Sequence, residues 1–215
     1  MSPWWIPAVS GAMAALAFGT LFKIAIAWIV SRKCIQSYDC TVDGDEHEPA
    51  KLRHGFGLRV DPSSRTIREP YRIEPTPVPP DGKAAWLYSF DRPRGRNRQH
   101  TLYGPYTNDF GYPRFARVVF RIAGRGFSGS DDPVIVLDVL RAPFGGEREH
   151  TMLGQKIVHT TTLRSRYKDF EIVCQVPGPG VYEYRATVIR TVDPDKELIF
   201  FKSVRVYPAF RPFGS

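Results

Sequence analysis

Cysteine is scarce: Cys34, Cys40 and Cys174 are the only three in 215 residues. Three thiols so spaced do not make a disulfide framework, and no spacing matches a zinc site. Cys34 and Cys40 stay open as a local pair, as free thiols or as juxtamembrane acylation sites. Histidine is also sparse, with five in the chain. His54, His100, His150 and His159 show no ligand spacing, and His47-Glu48 runs into Pro49, which excludes a zincin helix. Asp131 and Asp132 are neighbours, so a strand would turn them to opposite faces; they read as turn formers. "GRGFSG" (124–129) formally matches G-x-G-x-x-G, but "SDDPVIVLDV" after it reads as a strand where a dinucleotide site needs a helix. It reads as a hairpin loop. "GFSGS" lacks the second glycine of a nucleophile elbow. "DGDEHE" lacks the rest of a calcium loop. No enzyme, cofactor or metal is expected.

Basic residues are absent ahead of the first apolar run, and that absence excludes an ordinary secretory leader. Trp4 to Phe22 carries no charge; apolar character resumes after Lys23 and ends at Val30, before Arg32 and Lys33. Residues 1–33 are therefore read as an uncleaved single-pass transmembrane helix. Trp4 and Trp5 would lie about 35 Å from Trp28 along the helix, which suits two aromatic belts around a core of roughly 30 Å. Lys23 can snorkel toward the headgroups. Gly11, Ala15 and Gly19 fall on one face at four-residue spacing and form a candidate helix-packing surface. Arg32 and Lys33 put the amino terminus outside and the rest in the cytoplasm by the positive-inside rule.

From Cys34 to Lys83 no periodicity is sustained, and Pro75, Pro77, Pro79 and Pro80 forbid helix. Residues 34–83 are expected to be an extended, semi-rigid Pro-rich linker. From Ala84 the pattern changes to short β-rich runs: "AAWLYSF", "ARVVFRIA", "PVIVLDVL", "KIVHTTTL", "DFEIVCQV", "VYEYRATVI" and "LIFFKSVRVYP". Turn clusters separate them. Seven or so strands over ~125 residues predict an all-β antiparallel sandwich over 84–210, with 211–215 as a tail.

"LYGPYTNDFGYPRFARVVFRI" resembles the opening segment of a carbohydrate-binding-module-like jelly roll of the galactose-binding type. Gly104, Pro105 and Tyr106 form the "GPY" turn ahead of Val118, Phe120, Arg121 and Ile122. "VIVLDVL" and "YKDFEIVCQVPGPGVYEYRATV" continue in the same order. The resemblance covers about residues 84–208 and implies a jelly-roll sandwich; it carries over no ligand-binding residue, and "YPRFAR" keeps the family's P-x-G-x-Y motif only in part. An immunoglobulin-like sandwich is the alternative, although no Cys…Trp…Cys spacing supports it.

The net charge is +8. Its sharpest feature is "DRPRGRNRQH", where Arg92, Arg94, Arg96 and Arg98 alternate. Extended, they would line one side at ~6.6 Å intervals, a comb suited to phosphate, carboxylate or anionic lipid. A solvated loop is the plainer reading. Nucleic acid would want interleaved aromatics or a known module, and neither is present. Two functions remain. One is a non-enzymatic membrane-anchored scaffolding subunit whose sandwich docks onto a larger membrane protein complex. The other is a membrane-tethered carbohydrate-binding module, with Trp86, Tyr103, Tyr106 and Tyr112 as candidate glycan contacts. The second requires those rings exposed along one face or edge; the first is placed ahead.

Overall fold

The computed structural model describes residues 18–23, 25–26, 28–42, 51–55, 57–63, 77–88, 100–107, 115–142, 149–178, 180–190, 192–193 and 196–209. In β10 (Lys168–Gln175) the sequence "KDFEIVCQ" buries every second residue: Phe170, Ile172 and Cys174 turn inward and their neighbours outward. That period of two is what one buried sheet face demands. β10 pairs with β7 (Phe115–Arg125), and β7 pairs with β12 (Leu198–Ala209). β12 then carries β4 (Ala85–Leu87), which pairs β3 (Leu58–Val60), while β1 (Gln36–Asp39) adds to the other end of β12.

The second sheet is built around β11 (Tyr182–Val188). One side of β11 pairs with β8 (Pro133–Arg141), which pairs with β9 (Thr151–His159). The other side takes β5 (Leu102–Tyr103) and β6 (Pro105–Thr107), with β2 (Arg53–His54) beyond β5. All pairings are antiparallel, and each sheet has six strands among the described residues.

The two sheets enclose one main core. Phe120, Ile122, Phe170 and Val204 of the first sheet meet Ile135, Leu137, Tyr182 and Tyr184 of the second. Each such side chain contributes about 1.5–3 kcal/mol by leaving water. A smaller cluster covers part of the opposite side of the first sheet, with Leu58, Val60, Ala85, Leu87, Ala123 and Phe200. Lys202 sits at an irregularity in β12, where its Nζ donates to the Ala84 carbonyl at 2.6 Å and pairs with Asp81 at 3.3 Å. Those bonds hold the 81–84 segment onto the sheet.

The expected sandwich is therefore found, and every quoted β-rich run from "AAWLYSF" to "LIFFKSVRVYP" contributes a strand. Three expectations are corrected. The 34–83 segment is not a linker outside the domain: it supplies β1, β2 and β3, and Cys40, Leu52 and Val60 are buried. Such short strands, of four, two and three residues, leave no periodicity to read. "GRGFSG" does lead into a strand, with positive φ at Gly126 and Gly129, but it is no hairpin loop: it crosses from β7 in the first sheet to β8 in the second. The twelve strands among the described residues also exceed the seven or nine of an immunoglobulin-type sandwich.

Residues 18–32 are helical wherever described, and Phe18, Leu21, Phe22, Ile26, Trp28 and Ile29 are exposed. Among the described residues no helix is long and apolar enough to cross a membrane. Trp4, Trp5, Gly11 and Ala15 lie outside the described residues.

Gly154, on the inward side of the edge strand β9, closes the sandwich against β10. A Cβ there would stand 2.6 Å from Ile172 Cγ2 and 3.4 Å from Cys174 Cβ. Gly154→Ala is expected to lower the unfolding free energy by about 1–3 kcal/mol through overpacking. Urea unfolding checks this: the midpoint should drop with the slope unchanged. An unchanged midpoint would mean that β9 does not press on β10.

Candidate functional site

β11 reads "YEYRATV", and it is buried on both sides. Tyr182, Tyr184 and Ala186 face the core; Glu183, Arg185 and Thr187 alternate to the outer side of the second sheet. An outer-facing carboxylate would ordinarily sit in water. Glu183 is instead 0% exposed. Burial of a carboxylate is tolerated only with charged and hydrogen-bonded partners.

Those partners come from three places in the chain, and a fourth residue backs one of them. Arg185, two residues along the same face, forks onto Glu183: Nε donates at 2.7 Å and Nη2 at 2.6 Å, to one carboxylate oxygen each. A strand places residues i and i+2 on one face about 6.6 Å apart, which suits this bidentate reach. Tyr106 of β6 donates its hydroxyl to Glu183 Oε1 at 3.1 Å. His150, just before β9, brings Nε2 to 3.4 Å from Glu183 Oε2. Arg53 of β2 lies over the Tyr106 ring, its guanidinium carbon 5.5 Å from the centroid.

Next along the face, opposite Arg185 in the ladder, stands Asp138 of β8, 8% exposed. Its Oδ1 accepts from Gln155 Nε2 at 2.9 Å. Thr187, 6% exposed, has His100 Nδ1 at 2.8 Å from its hydroxyl, and the His100 ring tilts against Tyr103 at 6.4 Å. Met152 and Ile157 of β9, each about half exposed, give the same face an apolar margin.

The titrations follow from these surroundings. Burial first, and the Glu183 carboxylate next, push the Tyr106 phenol up to about 12, so it stays a neutral donor. Its hydrogen bond to Glu183 holds the Arg185 guanidinium above its usual range. Burial, followed by the Arg185 charge, lowers His100, which is neutral at pH 7. The result is a face of fixed donors and acceptors with one internal ion pair.

Of the sequence-predicted residues, this face gathers Tyr103 and Tyr106, both half-buried. Gly104 has a positive φ, 100°. Tyr106 itself has φ 60°, uncommon for a residue with a side chain, and its hydroxyl reaches outward to Glu183. Trp86 is corrected: it is 7% exposed and belongs to the core, with His54 stacked on it at 4.1 Å, because β4 turns it inward. Tyr112, Arg92, Arg94, Arg96 and Arg98 lie outside the described residues. Lys23, Trp28, Arg32 and Lys33 are exposed on or just after the helix, and Gly19 has open space around it. Trp28 carries the Arg32 guanidinium 3.6 Å above its ring. Sequence reasoning missed Glu183, Arg185, Asp138, Gln155, His100 and His150. The one available signal was "EYR", a charged pair two apart inside a strong strand pattern.

The His100 environment makes a pH prediction. An unfolded histidine takes up its proton near pH 6.5, whereas folded His100 resists it. Its contribution to stability is full above that pH and is lost as the pH falls through it toward the lowered folded value. The melting temperature should therefore drop more between pH 7 and pH 5 in the wild type than in His100→Asn. Equal drops would contradict the environment described.

No family profile matches the sequence, and no curated protein matches it. Solved structures do. The CBM22-1–GH10 modules of a Clostridium thermocellum xylanase, complexed with xylohexaose, are 12% identical at a TM-score of 0.47; the match covers 83% of this chain and 29% of that longer one. The CBM22-2 xylan-binding domain from Paenibacillus barcinonensis is 11% identical at 0.41, with 80% and 98% covered. A Stig cyclase from Fischerella sp. is 13% identical at 0.42, with 72% and 86% covered. Likenesses of this degree, to binding domains and to a cyclase alike, assign neither a ligand nor a reaction to this chain.

Proposed function

We propose that the protein is a carbohydrate-binding module whose ligand face is the outer side of the second sheet, and that its amino-terminal helix tethers it to a membrane. The observation that carries the first part is the outer half of β11: Glu183, fully buried, held by Arg185, Tyr106 and His150. A sugar offers hydroxyls that both donate and accept, and C–H faces that lie on rings. The face supplies acceptors at Asp138, donors at Gln155 and Arg185, two imidazoles, and the rings of Tyr103 and Tyr106. Pinned side chains lose little freedom on binding, which favours recognition of a weakly sticky ligand.

Binding rather than turnover fits the carboxylates. Glu183 is neutralised by a bidentate guanidinium, and Asp138 already accepts from an amide. The scaffolding reading rested on the small-residue helix face, the Pro-rich rope and a lack of chemistry in the sequence; the strands within residues 34–83 and this face weaken the last two grounds. The tether is supported by the run of exposed apolar residues from Phe18 to Val30 and by the basic pair Arg32 and Lys33 after it. That pair also favours a cytoplasmic sandwich.

A glycan array tests the reading. The wild type should retain at least one neutral oligosaccharide. Tyr106→Phe should weaken it about tenfold by removing one hydroxyl and loosening Glu183, in line with roughly 1–1.5 kcal/mol for a hydrogen bond. Tyr103→Ala should weaken it comparably. An array on which nothing binds, or binding indifferent to both substitutions, would end the proposal.

A further inference from the structure

The expected rope between helix and sandwich does not exist. Some 50 residues of extended chain would span about 150 Å at ~3.1 Å per residue. Instead the helix runs to residue 32 and β1 begins at Gln36, leaving only residues 33–35 between them. Even these are tied down: the Ile35 amide donates to the Val206 carbonyl at 2.8 Å, extending the ladder of β1 on β12. Arg117 of β7 donates to the Ser31 carbonyl at 3.4 Å and lies over the Tyr207 ring at 4.7 Å. The described helical residues from Phe18 to Val30 are exposed, so the helix projects away from the sandwich instead of lying on it.

The strand register shows which end of the sandwich this is. Arg117 stands opposite Val173 and Tyr207, near the start of β7 and the ends of β10 and β12. β10 leads through residues 176–181 into β11, so Tyr182 and Glu183 begin at the same end. Arg141 and Thr151 flank Tyr182 there, and His150 and Tyr106 gather around Glu183. A direct bond ties the two sides: Tyr184 donates its hydroxyl across the core to Gln36 Oε1 at 3.1 Å. Four residue steps from Arg32 to Gln36 reach at most ~14 Å, and the sheets stack about 10 Å apart. The Glu183 end of the face thus lies within roughly 25 Å of the end of the helix, while the turn at Lys196 lies a further β12 length away, about 40 Å at ~3.3 Å per residue.

We propose that the sandwich stands end-on at the lipid surface with the Glu183 end of its face downward, and that the saccharide it takes is the headgroup of a membrane lipid. This rests on the glycan-binding and tether readings above. A rigid mount of this length serves a ligand fixed at the same height, because a tethered partner meets a membrane-borne one at high effective concentration only when the mount spans the gap.

The test uses the full chain in phosphatidylcholine vesicles. Spin labels go on Gln175→Cys, at the helix end, and on Lys196→Cys, at the far end, in a Cys34→Ser background; Cys40 and Cys174 are buried. A nickel-chelating lipid should relax the label at 175 strongly and leave the label at 196 nearly unaffected. Similar relaxation at both would overturn the end-on mount, whatever the glycan array reports. In a second arm, a photo-crosslinking residue replaces exposed Met152 on the face. It should capture a galactosyl, glucosyl or N-acetylglucosaminyl diacylglycerol in the same bilayer at least tenfold over phosphatidylcholine. The matching free methyl glycoside should compete only at tenfold or greater excess. Capture without headgroup preference, or free glycoside competing as well as the lipid, would overturn the lipid-borne ligand, and in the second case the glycan reading would survive alone. Failure of both lipid and glycoside would end both.

Discussion

A carboxylate that faces outward from a β-sheet and is nevertheless cut off from water is the constraint on which the rest of this molecule turns. Glu183 sits between two core tyrosines in sequence, so its position along β11 is fixed by packing on the other side. It can stay ionised there only if its lone pairs are occupied. Arg185 fills two of those positions with fork geometry, and Tyr106 adds a neutral donor. The strand must carry both Tyr182/Tyr184 inward and Glu183/Arg185 outward, so core and site share one backbone. A shift of one residue in register would exchange them.

This sharing ties the face to the amino-terminal helix. Tyr184 packs near Tyr38 and donates to Gln36, both on the strand that follows the helix. A compact body hung on a loose rope would leave its orientation to chance. Here three residues and a ladder bond separate helix from sheet, so the direction in which the face points follows from the fold itself.

The sandwich was legible in the sequence because its long strands alternate: "KDFEIVCQ" and "FARVVFRI" declare a buried side without help. β1, β2 and β3 were not legible, since strands of two to four residues offer no period and become strands only by adding to edges made elsewhere. The proline run near them, which argued for a rope, instead lies partly buried at Pro77 and Pro79. The site was nearly invisible for another reason. His100, Asp138, His150 and Glu183 are scattered over more than eighty residues, and only strand pairing brings them together. Trp86 misled because a tryptophan in a short β-run looks the same in sequence whether it faces ligand or core. Tyr106 was read as a turn residue but lies in β6, where its φ is positive and its hydroxyl reaches Glu183.

The most direct check on this picture is a double-mutant cycle on Glu183 and Arg185, read as unfolding free energy in urea. Arg185→Met alone strands a buried carboxylate and should cost about 3–5 kcal/mol, whereas Glu183→Gln together with Arg185→Met should recover most of that loss. Losses that simply add would show that the pair is not a buried, mutually dependent unit, and the account of the face built on it would fail.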